Sequence, residues 1–361
     1  MNRILNFSAG PAILPECVLE EASQAVLEFE GSGMSLLEMS HRDKRYDAVH
    51  MEALDGVLSA LGLSSDEYAV SLVGGGASTQ FALVPMNFLR PGDVADYLVG
   101  GEWGAKALES ARLVGHARCA GTSADTNHDR LPSKLDLAPD ARYLHATTNN
   151  TIEGTQMHAL PGVEGVPLVA DMSSDIFGVD RDHSRFDLLY AGAQKNAGPA
   201  GVTIVVARKS FLESARTDLP PMLSLAVQAA KQSLYNTPPV FPIFVLSRVL
   251  RWIAAEGGVA AVARRNERKA GLVYGAIDAA PNLYEPCVAV PADRSWMNVT
   301  FRIKGEGLQT EFLSEAKAAG MDGLPGHRNV GGLRASIYNA FPESGCQDLA
   351  DLLADFARRK G

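Results

Sequence analysis

Short apolar runs that alternate with helical stretches constrain the fold of this chain more than any other feature of its sequence. Apolar residues recur at helical spacing up to Gly62, and the apolar run 68–73 follows. Five more apolar runs come after it, with helical or loop-like stretches between them, at 94–99, 143–146, 166–170, 188–191 and 202–206. Alternation of this kind predicts an α/β fold in which helices flank both faces of a mostly parallel sheet.

The length of the chain and a pair of glycines predict two domains. The chain has 361 residues, whereas a single domain commonly has ~100–200. Gly257 and Gly258 follow a long helical pattern, and strand patterns alternate with helical patterns beyond them. We therefore predict, in chain order, an N-terminal segment 1–15 that packs near the small domain, a large domain 16–256 and a small C-terminal α/β domain 257–361.

Composition and charge exclude several classes of protein. The 42 acidic and 33 basic residues give a formal net charge of -9, which is opposite to the basic excess of a nucleic-acid-binding protein. No apolar stretch reaches the ~18 residues that a membrane-spanning helix needs. The four cysteines are widely spaced, and the eight histidines show no metal-binding spacing. We predict reduced cysteines, a cytoplasmic location, no catalytic metal, and neither nucleic acid nor membrane as a partner.

Three groups of polar or small residues lie next to predicted strands, where open α/β sheets bind their ligands. The segment 74–80, Gly-Gly-Gly-Ala-Ser-Thr-Gln, opens a helical stretch whose first amides could bind a phosphate, although it could also be only a tight turn. Asp171 ends the run 166–170, where a helix cap is the simpler interpretation. Lys195 lies among small residues between two strands, with few charges near it in sequence. A lysine in such a setting could lose its proton and act as a nucleophile.

Together these groups provide what pyridoxal phosphate requires. The lysine would form a Schiff base with the cofactor, the acid would keep the pyridine nitrogen protonated, and the helix N-terminus would bind the phosphate. Trp103 could stack on the ring, although a core tryptophan is more common. Thr151 could hydrogen-bond the ring hydroxyl, although a plain turn would also explain it.

Beyond these groups, the chain resembles the phosphoserine aminotransferase family, which belongs to the fold type I, class V aminotransferases that depend on pyridoxal phosphate. The resemblance runs almost from end to end, through the segments 6–12, 39–42, 171–174, 190–201, 235–239 and 326–340. It implies that Lys195 is the Schiff-base lysine, Asp171 the partner of the pyridine nitrogen and Trp103 the stacking residue. The further cofactor contacts that it implies are Ala77 and Ser78 at the phosphate, Thr151 near the ring hydroxyl, Gln194 beside the phosphate, and Asn236 and Thr237 reaching the cofactor phosphate of the neighbouring subunit.

An amino acid with an α-carboxylate and a second, distal anion needs two cationic clamps, for which guanidinium groups are well suited. Because the net charge of the chain is negative, these cations must be concentrated at the binding site. The cationic candidates are His41, Arg42, Arg45, His327, Arg328 and Arg334. The resemblance implies that Arg334 binds the α-carboxylate, and that the distal group lies among His41, Arg42, His327 and Arg328.

The activity that the resemblance implies is transfer of an amino group from glutamate to 3-phosphohydroxypyruvate, which gives 2-oxoglutarate and phosphoserine for serine biosynthesis. A homodimer with shared active sites would carry it out, and the 4-phosphohydroxythreonine pair of vitamin B6 synthesis could be a second substrate pair. An aminotransferase of the alanine and glyoxylate type is the first alternative, but its substrate would offer no distal anion to Arg42. A non-catalytic phosphate-ligand binding protein is the second, and the intact Lys195 and Asp171 argue against it.

Overall fold

The protein is built on a seven-stranded sheet in the computed structural model, which describes residues 3–163, 165–328 and 330–361. The strands of these residues are β1 (Leu5–Asn6), β2 (Tyr68–Val73), β3 (Val94–Val99), β4 (His116–Thr122), β5 (Ala141–Thr147), β6 (Asn149–Asn150), β7 (Thr155–Gln156), β8 (Leu168–Asp171), β9 (Leu188–Gly192), β10 (Thr203–Arg208), β11 (Tyr284–Pro286), β12 (Asn298–Ile303), β13 (Met321–Asp322) and β14 (Leu333–Ser336). The helices are α1 (Glu16–Leu27), α2 (Lys44–Leu61), α3 (Gly76–Phe88), α4 (Glu102–Val114), α5 (Lys209–Leu212), α6 (Leu225–Ala230), α7 (Val240–Ala255), α8 (Gly258–Asp278), α9 (Leu308–Ala318) and α10 (Glu343–Lys360).

The predicted fold class is confirmed, because the large sheet is mostly parallel. Its strand order is β2-β10-β9-β8-β5-β3-β4, and only β10 runs antiparallel to its neighbours. Side chains of a strand alternate between the two faces of the sheet. In β8, Ala170 accordingly packs in the core beneath α2 and α7, whereas Val169 packs in the core beneath α3 and α4. Both faces are therefore covered by helices, as the apolar runs predicted.

A second, smaller sheet of β11, β12 and β14 is antiparallel and shares a separate hydrophobic core with α8, α9 and α10. The N-terminal segment reaches this core, since β1 pairs with β13 and Phe7 is buried in it. We propose that the chain consists of an N-terminal segment 1–15, a large domain 16–256 and a small domain 257–361.

The helix α8 was not predicted from the sequence patterns. Its buried stripe contains Val262, Ala263, Ala270, Val273 and Ile277, but Asn266 and Lys269 interrupt the stripe with polar side chains. Both of these polar residues are fully buried, so helical periodicity of apolar residues alone could not identify this face.

A buried ion pair fixes the loop that follows β8. The Asp175 carboxylate accepts hydrogen bonds from Arg181 Nη2 at 2.7 Å, Thr148 Oγ1 at 2.6 Å and Gln156 Nε2 at 3.2 Å. The side chain of Arg181 is 5% exposed and that of Asp175 is inaccessible to solvent. Removal of one partner from such a pair leaves an uncompensated buried charge.

We expect Arg181→Met to destabilise the protein by about 3–5 kcal/mol for this reason. Thermal unfolding of the variant should have a midpoint several degrees below that of the native protein. Arg185→Met is the matched control, because Arg185 is exposed and its loss should change stability by no more than about 0.5 kcal/mol. Equal midpoints for the two variants would contradict this account of Asp175.

Candidate active site

A cavity of about 260 Å³ lies at the carboxyl ends of β2, β5, β8 and β9. The predicted site residues that line it are Ala77, Ser78, Trp103, Thr151, Asp171, Gln194 and Lys195. The strand order explains this convergence, because neighbouring parallel strands bring the loops after their carboxyl ends to one edge of the sheet.

The first turn of α3 forms one end of the cavity. Gly75 is the N-cap residue with φ 96°, a left-handed conformation that favours glycine. A Cβ atom on Gly75 would lie only 2.1 Å from Thr79 Oγ1, and Thr79 donates a hydrogen bond to Gly75 O at 2.8 Å. The residues Gly76, Ala77 and Ser78 line the cavity, and the amides of a first helical turn have no partners within the helix. This end of the cavity therefore suits a phosphate.

Lys195 lies in the turn that follows β9. Its Nζ donates a hydrogen bond to Thr151 Oγ1 at 2.7 Å. Burial lowers the pKa of Lys195 to about 8, and the charge of Asp171 opposes part of this change. The amine is therefore much easier to deprotonate than that of a lysine in water, which is what a nucleophile at neutral pH requires.

Asp171 is the last residue of β8 and is 5% exposed. Its Oδ1 accepts a hydrogen bond from Ser173 N at 2.9 Å. Burial raises the pKa of Asp171, whereas the hydrogen bonds of Ser173 and the charge of Lys195 lower it. A buried carboxylate of this kind is suited to pairing with a protonated nitrogen of a bound ligand.

Arg334 joins this site from β14 of the small sheet. Its Nη1 donates a hydrogen bond to Thr151 O at 3.3 Å, so Thr151 contacts the arginine with its carbonyl and the lysine with its hydroxyl. Burial lowers the pKa of Arg334, and the charges of Tyr338 and Glu153 oppose this effect. His327 lies within electrostatic reach of Arg334 and Arg328, and burial is the main cause that lowers its pKa.

Neither Arg334 and His327 nor the remaining predicted residues are among those that line this cavity. Arg42 and Arg328 are exposed and His41 is partly buried. Arg45 forms an ion pair with Asp43 at 2.8 Å. Asn236 and Thr237 are exposed, and Asn236 borders a separate cavity that Gly74 and Thr79 also line.

Several lining residues were not among the predicted ones. They are Phe81, Thr147, Asn149, Ser173 and Ser174. Thr147 and Asn149 lie at or just beyond the end of β5, and the two serines lie just beyond the end of β8. The position directly after an apolar run, which singled out Asp171, would also have found Thr147, whereas the other three residues lie three or four positions beyond such a run.

Within the described residues, no helix combines the length and apolar character that a membrane crossing requires. The same part of the chain contains no group of three or more His, Cys, Asp or Glu residues able to hold a metal ion.

Comparison with known proteins assigns the chain to a family. Residues 4–349 match the family model described as Aminotransferase class-V. The chain belongs to the class V aminotransferases. A phosphoserine aminotransferase of Herpetosiphon aurantiacus is 49% identical to this class V aminotransferase over 360 residues, which cover 99% of each chain.

Solved structures of related proteins agree in fold. The phosphoserine aminotransferase of Bacillus circulans subsp. alkalophilus is similar to this class V aminotransferase with a TM-score of 0.96 and 46% identity, over 100% of both chains. A phosphoserine aminotransferase of Trichomonas vaginalis with bound pyridoxal phosphate has a TM-score of 0.90 and 32% identity, over 99% of this chain and 100% of that one. The predictions of an aminotransferase and of pyridoxal phosphate as its cofactor are thereby confirmed.

The residues of the cavity fit this cofactor. The first turn of α3 suits a phosphate, and Lys195 and Asp171 line the same cavity. Trp103 Nε1 and Thr147 Oγ1 are buried polar atoms without a partner in the protein, although both residues border the cavity. Buried polar atoms are rarely left without a partner, so the wall of this class V aminotransferase is suited to a polar ligand.

We expect Lys195 of the cofactor-free protein to react with a trace amine-modifying reagent at unusually low pH. With a pKa of about 8, about half of its amine would be neutral at pH 8, compared with less than about 1% for a lysine in water. Reactivity should therefore rise to its half-maximum near pH 8, as measured by mass spectrometry of the labelled peptides.

The exposed Lys134 serves as the internal reference for that experiment, and Lys195→Ala identifies the labelled peptide. In Asp171→Asn the half-maximum should move to still lower pH, because the opposing carboxylate charge is removed. If Lys195 reached half-maximal reactivity at the same pH as Lys134, the expected effect of burial on its pKa would be wrong.

Proposed function

We propose that this aminotransferase transfers the amino group of glutamate to 3-phosphohydroxypyruvate, giving 2-oxoglutarate and phosphoserine for serine biosynthesis. The observation that carries the proposal is the position of Thr151 between two groups, because it accepts a hydrogen bond from Lys195 and another from Arg334. An amine and a guanidinium held by one residue are arranged for a substrate whose amino group and α-carboxylate share one carbon. The names of the similar proteins support phosphoserine as the substrate.

In this proposal Lys195 would bind the cofactor covalently, and its amine, once released, would accept the proton that leaves the substrate Cα. Burial keeps its pKa near 8, so the amine can both release and accept a proton near neutral pH. Asp171 would hold a proton at the ring nitrogen, and Trp103, which lines the same cavity, would contact the ring. Pyridoxal phosphate, when bound, supplies an aldehyde that takes up the amino group and a ring that withdraws electrons.

Two separate clamps would hold the substrate. Arg334 would bind the α-carboxylate through its guanidinium, whose Nε is buried without a partner. The distal phosphate would be bound among His41, Arg42, His327 and Arg328. Arg45 contributes least to this clamp, because Asp43 already neutralises it.

A distal clamp of this kind favours a phosphorylated substrate over glyoxylate, which carries no second anion. The same clamp would accept the 4-phosphohydroxythreonine pair of vitamin B6 synthesis, which we propose as a second activity. We also propose a cytoplasmic location, in keeping with the wide spacing of the four cysteines.

We expect Arg42→Ala and Arg334→Ala to change substrate selectivity in different ways. Loss of a charge-assisted hydrogen bond costs about 1.5–3 kcal/mol, which corresponds to a tenfold or larger fall in kcat/KM. Arg334→Ala should lower kcat/KM for phosphoserine, glutamate and serine alike, because all three carry an α-carboxylate. Arg42→Ala should lower it for phosphoserine and leave serine almost unchanged.

Steady-state kinetics with each amino acid as donor measure this difference. Arg185→Ala, at an exposed position, is the control for the loss of a surface cation. If both variants lost activity equally on serine and phosphoserine, the assignment of Arg334 and Arg42 to opposite ends of the substrate would be wrong. If the native protein did not convert phosphoserine, the proposed substrate would be wrong.

The working unit is a homodimer with shared sites in this proposal. Asn236 and Thr237 are exposed, and their hydrogen bond from Asn236 Nδ2 to Thr237 O is local, so these side chains remain available to a second subunit. A two-fold interface would give each subunit the same contribution from its partner.

Mixed dimers provide the check. We expect inactive Lys195→Ala subunits, which keep an intact segment 236–237, to restore activity to subunits that carry Asn236→Ala and Thr237→Ala. Each mixed dimer should contain one intact site, and the transamination rate after subunit exchange measures the recovered activity. Exchange demonstrated by native mass spectrometry without recovered activity would refute the shared site.

A further inference from the structure

A buried amide connects the turn of Lys195 to the strand of Arg334. Asn196 directly follows the lysine, and its Oδ1 accepts a hydrogen bond from Asn339 N at 3.0 Å. Its Nδ2 donates to Ser174 O at 3.0 Å, in the loop that begins at Asp171. Asn196 is 5% exposed and Asn339 is 1% exposed. Three segments that each carry one proposed active-site group therefore meet at two asparagines.

The side chain of Asn339 holds the far end of the same loop. Its Nδ2 donates to Phe177 O at 3.2 Å, and Phe177 has φ 58°. A left-handed conformation is unfavourable for a residue other than glycine, so neighbouring contacts must maintain it. A Cβ atom on Gly178 would lie 2.8 Å from Asn339 Oδ1, which shows how closely the loop is shaped around this amide.

Two side chains of α8 fix Asn339 from the other side. Asn266 Nδ2 donates to Asn339 Oδ1 at 2.8 Å and to Gly178 O at 3.0 Å. Lys269 is fully buried, and its Nζ donates to the carbonyls of Ile337 at 2.9 Å, Tyr338 at 2.7 Å and Phe341 at 3.2 Å. Three carbonyls satisfy the three donors of an ammonium group. The turn that contains Asn339 is therefore held on both sides of that residue.

The side chain of Arg334 is tied to Thr151 by a long hydrogen bond. The hydrogen bond from its Nη1 to Thr151 O is 3.3 Å long, which is beyond the usual length of a strong hydrogen bond. The backbone of β14 therefore contributes to the placement of the guanidinium, and Asn339 lies three residues beyond the end of that strand. A misplacement of about 1 Å between reacting groups can cost on the order of 10²-fold in rate.

We propose that Asn339 is a positioning residue for transamination, which holds the strand of Arg334 in register with the turn of Lys195 and the loop of Asp171. The inference rests on the proposed roles of these three groups. It assigns Asn339 no contact with substrate or cofactor. Asn266 supports it from α8, so loss of Asn266 should have the same effect in a weaker form.

The test uses the full-length protein loaded with cofactor and follows its reaction with glutamate alone, through the absorbance change of the cofactor in a single turnover. We expect Asn339→Ala to slow this step at saturating glutamate by at least tenfold and to alter the visible circular dichroism of the bound cofactor. Asn266→Ala should slow it by a smaller factor. This second variant keeps the test decisive if Asn339→Ala does not fold.

Leu353→Ala is the stability control, because Leu353 is fully buried in the same small-sheet core, on α10. It should lower the midpoint of thermal unfolding, as large-to-small core substitutions do, while leaving the single-turnover rate and the dichroism within twofold of native values. In an Arg334→Ala background, Asn339→Ala should add less than a twofold further loss, since the group that it positions is gone.

Native rates and dichroism in both asparagine variants would overturn the proposal, as would losses that multiply fully with that of Arg334→Ala. A native protein that reacts with glutamate but not with phosphoserine would refute the proposed substrate instead. The positioning test would then still give its answer, because it does not use phosphoserine.

Discussion

The electrostatic attraction between a partly buried lysine and a buried carboxylate is the interaction on which this site depends. Burial acts on the two groups in opposite directions, since it lowers the pKa of Lys195 to about 8 and raises that of Asp171. The attraction between them opposes both changes. A pKa of about 8 leaves about a tenth of the amine neutral at pH 7, far more than for a lysine in water, and without the carboxylate the pKa would fall further. The site therefore needs both low solvent access and a matched charge.

The architecture meets that need by placing both groups beyond adjacent strands. Asp171 ends β8, and Lys195 follows β9, its parallel neighbour. Their positions after apolar runs were readable from the sequence, as was the helix N-terminus at segment 74–80. Periodicity predicts strands but not their order in the sheet, so it could not show that Asp171 and Lys195 lie next to each other. Only the resemblance to a known family indicated that the two residues share one site.

The antiparallel strand β10 is a feature that the apolar runs did not predict. Only the residues 193–202 separate β9 from β10, and a parallel crossover needs about a dozen residues or more, usually with a helix. The short connection therefore excludes a parallel arrangement. The same short connection carries Lys195, so the reversal of direction also fixes the reactive turn between two paired strands.

Contacts between distant parts of the chain account for most of what the sequence could not predict, and α4 illustrates why. Trp103 is the second residue of this helix, whose N-cap, Gly101, has no side chain to satisfy the first amides. Glu153 supplies the missing acceptor, with Glu102 N donating to its Oε1 at 2.8 Å. A Cβ atom on Gly101 would lie 2.5 Å from Glu153 Oε2, so the glycine creates the space that the carboxylate occupies.

A helix cap from the neighbouring sequence would be visible as a Ser, Thr or Asp before the helix. A cap from 51 residues away depends on β6, β7 and the small sheet being in place, and the position of the tryptophan at the cofactor cavity thus follows from the completed fold.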